Sequence, residues 1–261
     1  MVIYYSFVQV MKLGERLREL LANTWLGDLV TGDLLFRARN KIRQRIRFIK
    51  LARTLHVSRA DLFFLAVTTR SQLGQELVAA VVSGDTGFFV EFGAADGLLG
   101  SNTFKLETKF NWKGILAEPL TNWHDQLQRN RSCIIDTRAV WHRSNLSLTF
   151  EAQGLESKGH LAPRHRDSVT TVTLSDLLRE HKAPKHINFL SIDTEGSEFT
   201  ILENFDFNLY SFDFICIEHN YSEYTKKIDD LMNSAGYTKI LEGFSDFDHW
   251  YVPTASRFAN K

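Results

Sequence analysis

Five short apolar runs recur between residues 87 and 217, and they constrain the fold more than any other feature: Gly87–Phe92, Gly114–Ala117, Cys133–Ile135, Ile187–Ile192 and Phe212–Ile217. A strand with one wet face alternates apolar and polar side chains. A nearly unbroken apolar run suits a parallel strand covered on both faces. Helical patterns fall between the runs. TNWHDQLQRN (121–130) follows the second, and TLSDLLREHK (173–182) opens on a T-x-x-D start signal before the fourth. SEYTKKIDDLMNSAGY (222–237) follows the fifth, with Tyr224, Ile228, Leu231 and Ala235 on one face and Gly236 as its stop. The chain closes with YTKILEG and HWYVP, which read as an antiparallel pair at the sheet edge. Residues 151–167 are polar and carry Gly154, Gly159 and Pro163, so a surface loop is expected between short strands SLTF and SVTTV. The expectation is an α/β domain over 81–261 built on a mostly parallel sheet.

Charge separates that domain from what precedes it. Residues 1–80 hold 13 basic against 6 acidic residues, net +7, whereas residues 81–261 hold 18 against 25, net −7. The first 80 residues read as a helical, basic extension. Within it, residues 34–53 (LLFRARNKIRQRIRFIKLAR) contain eight basic residues and no acid, and Leu35, Ala38, Ile42, Ile46, Ile49 and Ala52 recur at helical spacing. Such a helix either lies on an anionic membrane surface or docks its apolar side on the catalytic core. Aromatics are not interleaved with the charges as base stacking needs, which argues against a nucleic-acid partner. No run reaches the roughly 18 apolar residues of a membrane span. The two cysteines, Cys133 and Cys216, sit inside apolar runs and read as buried thiols. A cytoplasmic protein, with at most peripheral membrane contact, is expected.

In an open parallel sheet, ligands bind at the carboxyl ends of the strands. Four of these ends carry polar residues. After the first run comes EFGAADGLLGSNT, in which Gly93, Ala95 and Gly97 keep the turn free of bulky side chains. Glu91 at that strand end suits a ligand's ammonium group and would repel a pyrophosphate. Glu118 closes the second strand, where an acid hydrogen-bonds a ribose diol in nucleotide folds. One ligand with an amino-acid end and a ribose satisfies both, and S-adenosyl-L-methionine is such a ligand. The third strand would pass near its adenine, offering Asp136 or Ala139.

The fourth strand ends in SIDTEGSEF, with Asp193, Glu195 and Glu198, and the fifth in IEHN, with Glu218, His219 and Asn220. Asp193, Glu218 and Asn220 offer oxygen ligands of the kind a hard cation such as Mg²⁺ takes. Alternatively, His219 takes a proton from a substrate hydroxyl. Glu195 and Glu198 also suit the amino end of a following helix. His249, in FDHWYV, is a further histidine that reads as a packed edge residue.

EFGAADGLLGSNT, NWKGILAEP, TVTLSDLL and LSIDTEGSEFTIL, in that order and spacing, resemble the FkbM family of S-adenosylmethionine-dependent methyltransferases, over roughly residues 86 to 252. The resemblance implies a class I methyltransferase (Rossmann-like) fold, a seven-stranded sheet with an antiparallel last strand. It also implies O-methylation of hydroxyls on sugars, glycans or related natural products, so the acceptor is expected to be a small molecule or glycan. Carried over, Glu91, Gly93 and Asp96 line the methionine end, with Asn102 counted among the cofactor-binding positions. Glu118 meets the ribose, and Asp193 lies between cofactor and acceptor. Two rival readings accompany this one: a non-catalytic membrane or partner adaptor that keeps the fold, and a nicotinamide-dependent oxidoreductase. The acid before the glycines and the acid-rich fourth strand end disfavour the latter.

Overall fold

The computed structural model describes residues 42–57, 59–153, 156–161 and 168–261. The chain divides into two units, residues 1–50 and 51–261. A helix occupies residues 42–54, within the basic segment, whose residues 34–41 lie outside the described residues. Burial runs along Phe48, Leu51, Ala52 and Leu55, while Ile46 is exposed. Of the expected line, Ala52 is buried, Ile42 and Ile49 are half-buried and Ile46 is exposed.

Eleven strands lie among the described residues: β1 (Phe88–Phe92), β2 (Lys113–Ala117), β3 (Ile134–Asp136), β4 (Ala139–Val140), β5 (Ser147–Gln153), β6 (Glu156–Leu161), β7 (Val169–Val172), β8 (His186–Ile192), β9 (Ser211–Glu218), β10 (Tyr237–Ile240) and β11 (Asp248–Pro253). Seven form one sheet in the order β10-β11-β9-β8-β1-β2-β3. Every pairing from β9 to β3 is parallel, and β11 runs antiparallel to both β9 and β10. This is the expected class I methyltransferase arrangement. It puts the reversal of strand order between β1 and β8, where an open α/β sheet has its ligand crevice. A second sheet, β4-β7-β5-β6, covers part of the segment expected as a loop. Glu156–Leu161 pairs antiparallel with β5, because backbone hydrogen bonding extends the hairpin through a sequence without apolar alternation.

Strand alternation explains both the core and the site. On one face, Val90, Phe92, Leu190, Ile192, Ile215, Ile217 and Tyr251 pack with Leu177, Leu178, Leu202, Ile228 and Met232 from the helices that cover them. On the other, registered neighbours Phe89, Phe189 and Phe214 are fully buried, and Phe189 stacks on Phe214 at 5.0 Å. Each such side chain stabilises the fold by about 1.5–3 kcal/mol through burial, and the ring pair by about 1 kcal/mol more. Two residues further along the same face come Glu91, Ser191 and Cys216, then Asp193 and Glu218. The face is aromatic at its middle and acidic at its carboxyl edge.

Helix Gln75–Ser83 crosses the expected domain boundary at residue 80 and belongs with this second face. Gln75 Nε2 donates to Asp248 Oδ2 at 2.7 Å, and Ser83 Oγ donates to the Asn188 carbonyl. Helix Leu174–Glu180 starts as its T-x-x-D signal predicts, with the Asp176 amide donating to Thr173 Oγ1 at 3.1 Å. Among the described residues, no helix is long and apolar enough to cross a membrane. Cys133 and Cys216 are both free, and Cys216 is buried with its thiol donating to Asp248 Oδ2.

Candidate active site

The turn after β1 is shaped by what its glycines leave out. Gly93 has φ +72°, and a Cβ there would lie 2.0 Å from the Asp193 carbonyl oxygen, so the ends of β1 and β8 approach closely only because that atom is absent. Gly97, also at φ +72°, would place a Cβ 2.5 Å from Leu127 and 2.7 Å from the Arg131 stem. Asp96 closes the turn from within, its Oδ1 accepting the amides of Leu98 and Leu99 at 2.9 and 2.8 Å. Its carbonyl accepts from Asn130 Nδ2.

Glu91 is buried, and its carboxylate is occupied. Ser101 Oγ donates to it at 3.1 Å, the Asn102 amide at 2.7 Å and Thr103 Oγ1 at 2.5 Å, with Arg131 Nη1 at 3.7 Å. The carboxylate fastens residues 101–103 to the end of β1, with Oε1 accepting the Asn102 amide and Oε2 the two hydroxyls. Asn102 is turned the other way. Its Nδ2 donates to Ser191 Oγ at 3.0 Å, while its Oδ1 is buried without a hydrogen-bond partner.

Glu118 is buried at the end of β2, its two oxygens accepting the amides of Ala95 at 2.7 Å and Leu120 at 2.8 Å. Burial pushes its pKa up despite these bonds. Each oxygen keeps a lone pair, which is what a ribose diol requires. Asp136 does not share that availability. Arg138 grips it through Nε and Nη2, the latter at 2.6 Å, and His181 Nε2 lies 2.8 Å from Oδ2. Burial pushes its pKa up, but the bonds from Arg138 and His181 outweigh it and hold the carboxyl below its usual range. The side chain of Asp136, expected near the cofactor, is thus engaged in an ion-paired cluster with Arg138 and His181.

At the ends of β8 and β9 the acids converge. Asp193, Glu195 and Glu218 each offer a carboxylate oxygen within 4.8 Å of the others. Burial, reinforced by the charge of Glu218, pushes Asp193 well above the carboxylate range. Burial also pushes Glu218 up, to about 7, with Glu195, Glu198 and Asp248 adding to the effect and the bond with Asp193 opposing it. The pair shares a proton near neutrality, as two close carboxyls must. Glu218 Oε2 is buried with no hydrogen-bond partner.

Glu198 stands apart from this trio. Its Oε1 accepts from the amides of Thr194 and Gly196 at 2.9 and 3.0 Å, which fixes the turn into helix Glu198–Leu202. Asn220, expected as a metal ligand, is exposed and lies outside the trio, with its amide donating to the Phe247 carbonyl. Glu195, with its backbone left-handed at φ +57°, is the third acid that lies with Asp193 and Glu218. The three acids of DTEGSE hold the signal for this, but only the turn decides which of them face β9.

His219 lies on the opposite face and is buried against His249, with ring centroids 4.1 Å apart. Its Nδ1 accepts the Tyr221 amide at 2.9 Å, so the neutral ring carries its proton on Nε2. Nε2 is buried and unpartnered, a donor rather than an acceptor. Burial pushes its pKa down, and His249 adds to this. In this arrangement the lone pair on Nδ1 of His219, the residue expected as general base, is engaged by the Tyr221 amide. His249 is held by Asp229, 2.8 Å from its Nδ1, and Tyr251 donates to the same carboxylate at 2.6 Å.

Residues 91–239, which include the glycine turn, both acidic strand ends and the ribose-side acid, match the methyltransferase FkbM domain. The chain belongs to the FkbM methyltransferase family. A search of curated proteins gives no match. Among solved structures, this FkbM chain is similar to the FkbM methyltransferase from Methylobacillus flagellatus KT at 11% identity and TM-score 0.44, covering 82% of this chain and 60% of that one. It is also similar to a precorrin-6y C5,15-methyltransferase from Geobacter metallireducens GS-15 at 8% identity and TM-score 0.40, covering 69% and 86%. The chain thus spans less than two thirds of the length of the first of these. Membership in the FkbM family implies use of S-adenosylmethionine.

Proposed function

We propose that this chain transfers the methyl group of S-adenosylmethionine to a hydroxyl oxygen of a carbohydrate, glycolipid or related natural product. The observation that carries the reading is the Asp193–Glu218 carboxyl pair, set at adjacent strand ends beside the Gly93 turn. When bound, the cofactor supplies an electrophilic methyl carbon. The residues present fit it: the Gly93 and Gly97 turn admits close backbone approach, Asn102 Oδ1 offers an acceptor for the ammonium group, and Glu118 offers lone pairs for the diol.

The chain's own residues then align the hydroxyl and accept its proton. Asp193 keeps its proton and orients the acceptor, while ionised Glu218 takes the hydroxyl proton as the new C–O bond forms and the C–S bond breaks. A carboxyl titrating at about 7 is suited to that step near neutral pH. Incubation with methyl-labelled cofactor and a panel of glycans and glycolipids tests the proposal. Label recovered as a methyl ether supports it; label only on nitrogen or carbon overturns the hydroxyl assignment.

A second reading is favoured by Glu195. Three carboxylates within 4.8 Å of one another, one with an unpartnered buried oxygen, form an oxygen donor set that suits Mg²⁺. Loss of activity on chelation and its return with Mg²⁺ would establish this; activity indifferent to chelator would remove it.

The proposal extends to location: the basic residues of 34–53 contact an anionic membrane surface of the cytoplasm, where a glycolipid acceptor would lie. Arg43, Lys50 and Arg53 are exposed on the described part of that segment. Flotation with anionic vesicles should be lost when these three are replaced by glutamate, and retention would refute the contact.

A further inference from the structure

Arg131 caps helix Thr121–Asn130, and its side chain is wholly buried. Its guanidinium meets two carboxylates and three further oxygens. Nε donates to Glu107 Oε2 at 2.5 Å, Nη1 to the Gly97 carbonyl and to Ser101 Oγ, both at 3.1 Å, and Nη2 to Thr103 Oγ1 at 2.8 Å. Glu91 Oε2 lies 3.7 Å from Nη1. The stem of the same side chain fills the space that a Cβ on Gly97 would take, and the ring of Phe89 lies beneath the guanidinium at 5.5 Å.

These partners are not scattered. Gly97 begins the segment that Ser101 and Thr103 end, so one planar group holds both ends of residues 97–103. That segment carries Asn102, whose Oδ1 is buried without a hydrogen-bond partner. Arg131 also neutralises Glu91, which in turn anchors the Asn102 amide. A buried cation with this many aligned partners is costly to replace, because lysine offers a point charge where a flat fork of donors is used.

We propose that Arg131 is a positioning residue that sets the affinity for the amino-acid end of the cofactor without touching it, by fixing residues 97–103. This rests on the cofactor reading above. Two variants test it. Arg131→Lys keeps the charge and loses the fork. Thr103→Val keeps the arginine, removes one contact to it and one to Glu91, and serves where the first variant does not fold.

Calorimetry with S-adenosylhomocysteine, steady-state kinetics and amide hydrogen exchange are measured on each variant and on the unaltered protein. The expected result is a rise of about tenfold or more in Kd and in KM for S-adenosylmethionine, with kcat at saturation within about threefold. Exchange should accelerate at the amides of Leu98, Leu99 and Asn102 and stay unchanged along β1 and β8. A fall in kcat with KM unchanged overturns the proposal, as does exchange that is unaltered or that accelerates across the whole sheet. If the unaltered protein binds no S-adenosylhomocysteine, the cofactor reading itself fails, and the exchange pattern alone then decides whether Arg131 holds the segment.

Discussion

Gly93 and Asp193 meet where β1 and β8 end: a Cβ on the glycine would lie 2.0 Å from the aspartate's carbonyl oxygen. That contact ties the shape of the glycine turn to the strand end that carries the acid pair. A change on either side moves both the expected cofactor cradle and the groups expected to handle the acceptor's proton.

Gly93→Ala should therefore be damaging twice over. The left-handed φ alone costs about 1–2 kcal/mol, and the strand ends must also part to admit the methyl group. Denaturant unfolding should show the loss, and calorimetry with S-adenosylhomocysteine should show affinity down by about tenfold or more. An unchanged midpoint and affinity would mean that the two strand ends yield freely.

The base assignment separates two neighbours on one strand. Glu218→Gln should lower kcat by about a hundredfold or more, the range for loss of a positioned base, whereas His219→Ala should leave it within about tenfold. Steady-state assays with saturating cofactor decide between them. The reverse order would return the role to the histidine. The activity of the unaltered protein should rise with pH and level off above the Glu218 pKa, about 7.

Stability carries the same titration with a definite sign. Glu218 has a raised pKa, so the folded chain holds a proton that the unfolded chain releases near the ordinary glutamate value. Its protonated state contributes stability that is complete below about pH 4.5 and is lost as pH rises toward about 7. Glutamine cannot ionise. Relative to the unaltered protein, Glu218→Gln should gain melting temperature steadily between those limits, and a constant difference across the series would contradict the assignment.

Asp136 has the opposite sign. Its pKa is held down, so its contribution is present above the unfolded value near 3.8 and fades as pH falls through the folded one. Asp136→Asn should cost about 1–3 kcal/mol near neutral pH, less in acid, because Arg138 and His181 lose their shared partner. Cofactor affinity should change by less than about threefold, since that carboxylate is consumed by the cluster. A large affinity loss without destabilisation would restore the cofactor role.

Much of this architecture could be read from the chain alone, because apolar runs, turn glycines and helix caps are local signals. The helix Thr121–Asn130 and the Thr173 cap stand where the pattern put them. What could not be read depends on partners far apart in sequence. Arg131 is one cation among many until Glu91, Gly97 and Glu107 are brought to it. His219 looks like a base until the Tyr221 amide takes its lone pair. Glu156–Leu161 carries no alternation, so its pairing with β5 left no trace in the side chains. Asp136 is the instructive exception: Arg138, two residues on, is a near signal for the ion pair that holds it.

The stem of Arg131 occupies the volume that Gly97 vacates, so these two positions form a lock and its recess contributed by separate parts of the chain. Neither can drift alone. A designer transplanting the glycine turn onto another parallel sheet would have to carry helix Thr121–Asn130 and its capping arginine along with it, or rebuild the recess for whatever side chain arrives there instead.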